Sequence, residues 1–190
     1  MRKSIASKYI LPFIQWFGLM ILTAIFLDYL LHRLDLLYVG YWLSYPGTLL
    51  IILSFIYSLR KRKLIESGSP KKLLSIHEYF AWAGSILLIV HGGIHFNAVL
   101  PWLAIIMMII TVASGLTGKF LLKKATENIK AKRKYLEESG LSTEEAERKL
   151  FFDSVTVDLM KKWRVVHIPI TILFAVLAIL HIITIVMFIK

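Results

Sequence analysis

Five stretches of this chain are apolar for roughly 20 residues each, the length a helix needs to cross a hydrocarbon layer about 30 Å thick. They cover about residues 9–31, 41–59, 76–96, 100–122 and 165–189. In lipid the backbone must satisfy its own hydrogen bonds, so each run is expected to be a transmembrane helix. The composition agrees: 57% of the 190 residues are hydrophobic and the mean hydropathy is +0.69, unlike a soluble domain of this size. The first run follows a basic leader, but it is too long for a signal peptide and no small-residue cleavage site follows it, so it is expected to be retained. There is no solenoid repeat, low-complexity tract or phosphate-binding glycine loop. The expectation is one all-α integral membrane domain over residues 1–190.

Charge sets the topology, because Lys and Arg are retained on the cytoplasmic side. Three basic residues precede the first run, six lie in "RKRKLIESGSPKK" and twelve between Lys119 and Arg164. On the other side stand only Arg33 and Lys190 out of all 23. Five spans with the N-terminus inside and the C-terminus outside follow, in a cell membrane, most simply a prokaryotic plasma membrane. The net charge of +11 is thus accounted for by lipid and topology, and no nucleic-acid partner is expected. The polar segment at about residues 123–162 reads as two short cytoplasmic helices, residues 123–139 and 143–153. Gly140 separates them, and "STEE" restarts the second as a capping box from Ser142 to Glu145. They would lie on the cytoplasmic face, beside anionic headgroups or as a docking surface for a soluble partner.

The chain has no cysteine, which excludes disulfides, thiolate metal sites, Fe–S ligation and covalent haem attachment. Histidine is left as the versatile metal ligand, and histidine inside a membrane is a functional signal. The third run reads "HEYFAWAGSILLIVHGGIH" from His77 to His95, and the fifth contains "HIPITILFAVLAILH" from His167 to His181. In each, two histidines stand 14 residues apart. That spacing falls within roughly 40° of whole helical turns and rises about 21 Å, so each pair shares one helix face and marks two depths. The third and fifth spans run in the same direction. His77 and His167 therefore share the inner level, and His91 and His181 the outer.

Two bis-histidine levels fit two b-type haems, whose iron takes neutral imidazole on both axial sides. A divalent metal is the competitor, but a structural zinc wants four clustered ligands. Gly84, Gly92 and Gly93 would let a macrocycle approach the backbone. Phe174, seven residues from both His167 and His181, would put an aromatic ring between the levels. Arg164 and Lys72, at the inner boundary, are candidate partners for propionates. His95, one turn beyond His91, is a candidate substitute for it, a group over the outer haem edge, or a plain interfacial histidine. His32, four residues after Asp28, reads as a packing residue.

On these residues the chain, over about residues 10–189, resembles the ferric reductase-like transmembrane domain of NADPH oxidases, metalloreductases and the haem-binding subunit of bacterial methionine sulfoxide reductase systems. The resemblance implies that His77, His91, His167 and His181 bind haem iron. It likens "HGGIH" to the oxidase motif whose second histidine, here His95, lies near the oxygen-reducing face, and Phe174 to the aromatic between the haems. Family members usually add a sixth span, and many add a cytoplasmic FAD/NADPH domain. No dinucleotide fingerprint appears here, so a separate flavoprotein, Fe–S protein or quinol is the expected donor.

Three functions follow as expectations. The first is transmembrane electron transfer by a membrane subunit of a multi-protein oxidoreductase, possible also as an oligomer. The second is terminal reduction of ferric ion, oxygen or quinone at the outer haem. The third is a histidine-dependent metal transporter or sensor, which would need polar groups in mid-span where the sequence has almost none.

Overall fold

The computed structural model describes residues 11–93 and 98–188, without the side chains of residues 121–128, 152–161 and 163–164. Among the described residues all regular structure is helical. Five helical stretches are long and apolar enough to cross a membrane: Leu11–Arg33, Leu37–Lys61, Pro70–Gly93, Val99–Phe120 and Val165–Phe188. Each overlaps one of the apolar runs read from the sequence.

α1 (Leu11–Arg33) is closed by a Schellman motif. Asp35 takes a left-handed φ of 55°, and the Leu36 and Asp35 amides donate back to the carbonyls of Leu31 and His32 at 2.9 and 3.4 Å. The second run is not one straight helix but three pieces, α2 (Leu37–Trp42), α3 (Ser44–Ser54) and α4 (Ile56–Lys61). Pro46 has no amide to give the Trp42 carbonyl, which accounts for the first break. At the second, the Ser54 hydroxyl donates to the Ile51 carbonyl at 2.7 Å, and the Ser58 amide donates to Phe55 at 2.8 Å rather than to Ser54. The ladder shifts by one residue there and the Ser54 carbonyl is released from it. Lys63, with φ 60°, ends α4 as Asp35 ends α1.

α5 (Pro70–Gly93) carries the first histidine pair, and α6 (Val99–Leu116) opens into a π-helical turn over Thr117–Leu122 before α7 (Lys123–Glu138). Gly140, with φ 84°, closes α7. The capping box then forms as expected: the Glu145 amide donates to the Ser142 hydroxyl at 3.3 Å, and the Ser142 amide to the Glu145 carboxylate at 3.2 Å. The helix it starts does not stop at residue 153. α8 runs unbroken from Thr143 to Phe188, 46 residues, so the short second helix of the sequence reading and the fifth span are one element. No Gly or Pro stands between residues 143 and 168 to end it, and Pro169 lies inside it.

The chain divides into two compact units, residues 18–112 with 171–190, and residues 1–17 with 113–170. In the first, α5 packs on α2, α3 and α4. A Cβ on Gly84 would sit 3.0 Å from the Gly47 carbonyl oxygen, and one on Gly47 3.0 Å from Leu88, so α3 and α5 meet through two glycines. Met20, Ala24, Val90 and Met108 are buried in the same unit. In the second, Ala146 and Leu150 of α8 are buried, and Arg133 of α7 pairs with Glu147 of α8 at 2.6 Å. Lys119, in the π turn, lies over Trp16 and Phe120, 5.8 and 5.5 Å from the ring centres.

Candidate functional site

α5 places His77, Gly84 and His91 along one protected stripe, with Gly84 buried and both histidines partly covered. Each imidazole meets the second span. The His77 ring lies 5.6 Å from the Tyr57 ring, and its Nδ1 is 2.9 Å from the carbonyl oxygen of Ser54, the one released by the break at Phe55. A carbonyl has no proton to give, so this bond requires the proton on Nδ1 and leaves Nε2 with its lone pair. The His91 ring meets Tyr41 edge-on at 6.1 Å. Because α2 and α4 run antiparallel to α5, Tyr41 falls at the His91 level and Tyr57 at the His77 level.

α8 does the same with its second pair. His167, Ile170, Thr171, Phe174, Ala175, Leu177, Ala178 and His181 are protected, while the residues between them are exposed. This seam, close to a 3.5-residue period, is the inward face of the span. Phe174 is buried, at 7% exposure, in a span whose most apolar window is only 6% buried. His167 Nδ1 is 3.2 Å from the hydroxyl of the buried Ser114 on α6, and Gly115 leaves only ordinary contact beside the ring. The hydroxyl can accept from Nδ1–H, and where it does His167 has the same tautomer as His77.

His77, His91, Phe174 and His181 belong to one compact unit and His167 to the other, so the outer pair lies within a single unit. His95 and the Arg164 side chain lie outside the described residues. Lys72 is exposed in the first turn of α5. The Nδ1 of His32 bonds the Asp28 carbonyl of its own helix at 2.8 Å. The glycines depart from the sequence reading. Gly84 meets α3, a Cβ on Gly92 would collide with Ile105 of α6, and one on Gly93 would stand 3.0 Å from Asp28 of α1. All three admit neighbouring helices, not a macrocycle.

Tyr41, Ser54, Tyr57 and Ser114 were not singled out from the sequence. Tyrosine and serine are common in spans; only the antiparallel pairing of the second span with the third assigns Tyr41, Ser54 and Tyr57 a level, and only the contact with His167 assigns one to Ser114. Among the described residues no group of three or more His, Asp or Glu side chains gathers to hold a bare metal ion. The donor set is of single imidazoles on protected faces, two with Nδ1 hydrogen-bonded. An axial ligand to haem needs one neutral imidazole nitrogen per side and a hydrogen bond on the other to orient it. His77 and, where the Ser114 hydroxyl accepts, His167 fit that group.

No protein-family model matches the chain, and no curated protein or solved structure matches it either.

Proposed function

We propose that this chain is a di-haem b-type cytochrome that carries electrons across a membrane, with its N-terminus inside and its C-terminus outside. The observation that carries the reading is the His77 imidazole, held by the Ser54 carbonyl in the tautomer that leaves Nε2 to bind a metal. The equal spacing of His77/His91 and His167/His181 on protected stripes supports it. His77 and His167 would hold the inner haem, and His91 and His181 the outer.

Bound haem supplies a one-electron couple at each level. The chain's part is to fix ligand geometry, keep water out and set the local charge. Ser54 and Ser114 would orient their imidazoles, Phe174 would fill the seam between the levels, and Lys72 would put positive charge at the inner boundary, where the sequence also sets Arg164. The 21 basic residues on the proposed inner side would hold the orientation. The reading needs a separate donor, a flavoprotein, an Fe–S protein or a quinol, with the α7–α8 hairpin as a surface to meet a soluble one.

The test is an optical spectrum of detergent-purified protein, oxidised and dithionite-reduced, with the haem-to-protein ratio. Low-spin b-type bands at a ratio near two are expected. A colourless protein that takes up no added haem overturns the proposal.

A further inference from the structure

Asp28 stands in the last third of the first span, where an ionisable side chain is costly and is by default a sign of function. Its Oδ1 is buried and has no hydrogen-bond partner among the described residues. This oxygen lies against the backbone of α5 at Gly93, where a Cβ would come within 3.0 Å of it. Gly93 is two residues past His91, so the bare oxygen sits at the His91 end of α5.

His32 supplies the second half. Its Nδ1 is 2.8 Å from the Asp28 main-chain carbonyl, which can only accept, so Nδ1 carries the proton. That same nitrogen is 3.6 Å from Oδ1 of Asp28, just beyond hydrogen-bond reach and within the range of a small side-chain rotation. The His32 side chain is 48% exposed, against 31% for Asp28. The pair thus sets an exposed imidazole, whose N–H is held by the Asp28 main-chain carbonyl, within a small rotation of an oxygen that nothing else in the described structure engages.

From this arrangement we propose that Asp28 and His32 form a proton-delivery dyad for a quinone reduced at the His91 end, an inference that rests on the electron-transfer reading above. A quinone is the acceptor class that reaches an intramembrane carboxylate from the lipid and consumes protons with its electrons. His32 takes a proton from water at Nε2 and passes the Nδ1 proton to the Asp28 carboxylate. The resulting carboxylic acid gives that proton to a quinone oxygen and returns to carboxylate. Two such transfers, with two electrons carried by the cytochrome, convert quinone to quinol. The ring returns to its starting tautomer between transfers by exchange with water. Asp28 is the catalytic residue, since it touches the substrate, and His32 reloads it.

The experiment compares wild type with Asp28→Asn, Asp28→Glu and His32→Gln in lipid vesicles, using two acceptors after dithionite reduction. Decylubiquinone takes up protons and ferricyanide does not. Asp28→Asn is expected to slow decylubiquinone reduction at least tenfold with ferricyanide reduction unchanged; Asp28→Glu recovers most of the loss and His32→Gln shows a partial one. Infrared spectra give a readout without turnover: the carboxylic acid band missing from Asp28→Asn shifts in His32→Gln. Equal rates with both acceptors in Asp28→Asn overturn the dyad, as does an equal loss with both, which marks a structural role. A wild type that reduces neither acceptor overturns the cytochrome reading and the dyad with it.

Discussion

The His77 imidazole donates its Nδ1 proton to the main-chain carbonyl of Ser54, 2.9 Å away on the neighbouring helix. The carbonyl is available because the Ser58 amide turns to Phe55 instead. A break in one span thereby sets the tautomer of a histidine in the next. Buried in lipid, such a bond stabilises the helix pair by about 1 kcal/mol and costs more if only one partner is left.

If the proposed ligation holds, replacing any one of the four proposed ligand histidines by alanine is expected to remove one haem and leave the other, lowering the haem-to-protein ratio by about half, since each iron would need both axial imidazoles for low-spin bis-histidine ligation. His77→Ala and His167→Ala should delete the same spectral component, and His91→Ala and His181→Ala the other. Pyridine haemochrome assay with low-temperature optical spectra checks the pairing.

Ser114→Ala removes the hydroxyl beside His167 Nδ1 and leaves the ring free to turn. Loss of such an orienting partner weakens metal sites by about 10–100-fold. The inner haem of the variant should dissociate faster to an excess of apomyoglobin, with the outer haem unaffected.

Gly84→Ala should destabilise the protein by about 1–3 kcal/mol, because its methyl would press on a backbone oxygen that cannot rotate away. Gly18→Ala, in α1 with nothing within 4 Å of the added carbon, is the control. It should be neutral or stabilising by about 0.5–1 kcal/mol. Thermal denaturation in one detergent compares them.

The two helix stops made by different residues predict opposite signs. Asp35→Gly relieves a left-handed residue with φ 55° and should gain about 1 kcal/mol. Gly140→Ala forces a side chain into the same region, at φ 84°, and should lose a similar amount. The same denaturation assay reads both.

With no native cysteine to interfere, one introduced thiol reports the orientation directly. Ser67→Cys should react with a membrane-impermeant maleimide only after the cells are opened, and Leu34→Cys in intact cells. The reverse pattern would place the N-terminus outside.

Much of this molecule was legible in the chain itself. Hydrocarbon admits few kinds of backbone, so apolar runs of about 20 residues located the five membrane-length helical stretches of the described residues before any packing was known. Local chemistry was equally readable at the capping box of Ser142 and Glu145 and at the Gly140 stop, since both depend on residues within a few positions of one another. Helical periodicity placed His77 with His91, and His167 with His181, on shared faces. The left-handed stops at Asp35 and Lys63 were not visible, because neither residue is the glycine that such a position favours.

What only the tertiary structure decided lies between helices. The sequence cannot say which neighbour fills the space beside a glycine, so Gly84, Gly92 and Gly93 read as room for a cofactor until α3, α6 and α1 proved to occupy it. Nor does it show that Ser54 frees a carbonyl for His77, or that Asp28 lies against Gly93, since those partners stand 23 and 65 residues apart. The joining of the polar helix to the fifth span in α8 was hidden for another reason. A change from polar to apolar composition looks like a boundary, yet an α-helix ends only where its hydrogen-bond ladder is interrupted, and nothing before Pro169 interrupts it.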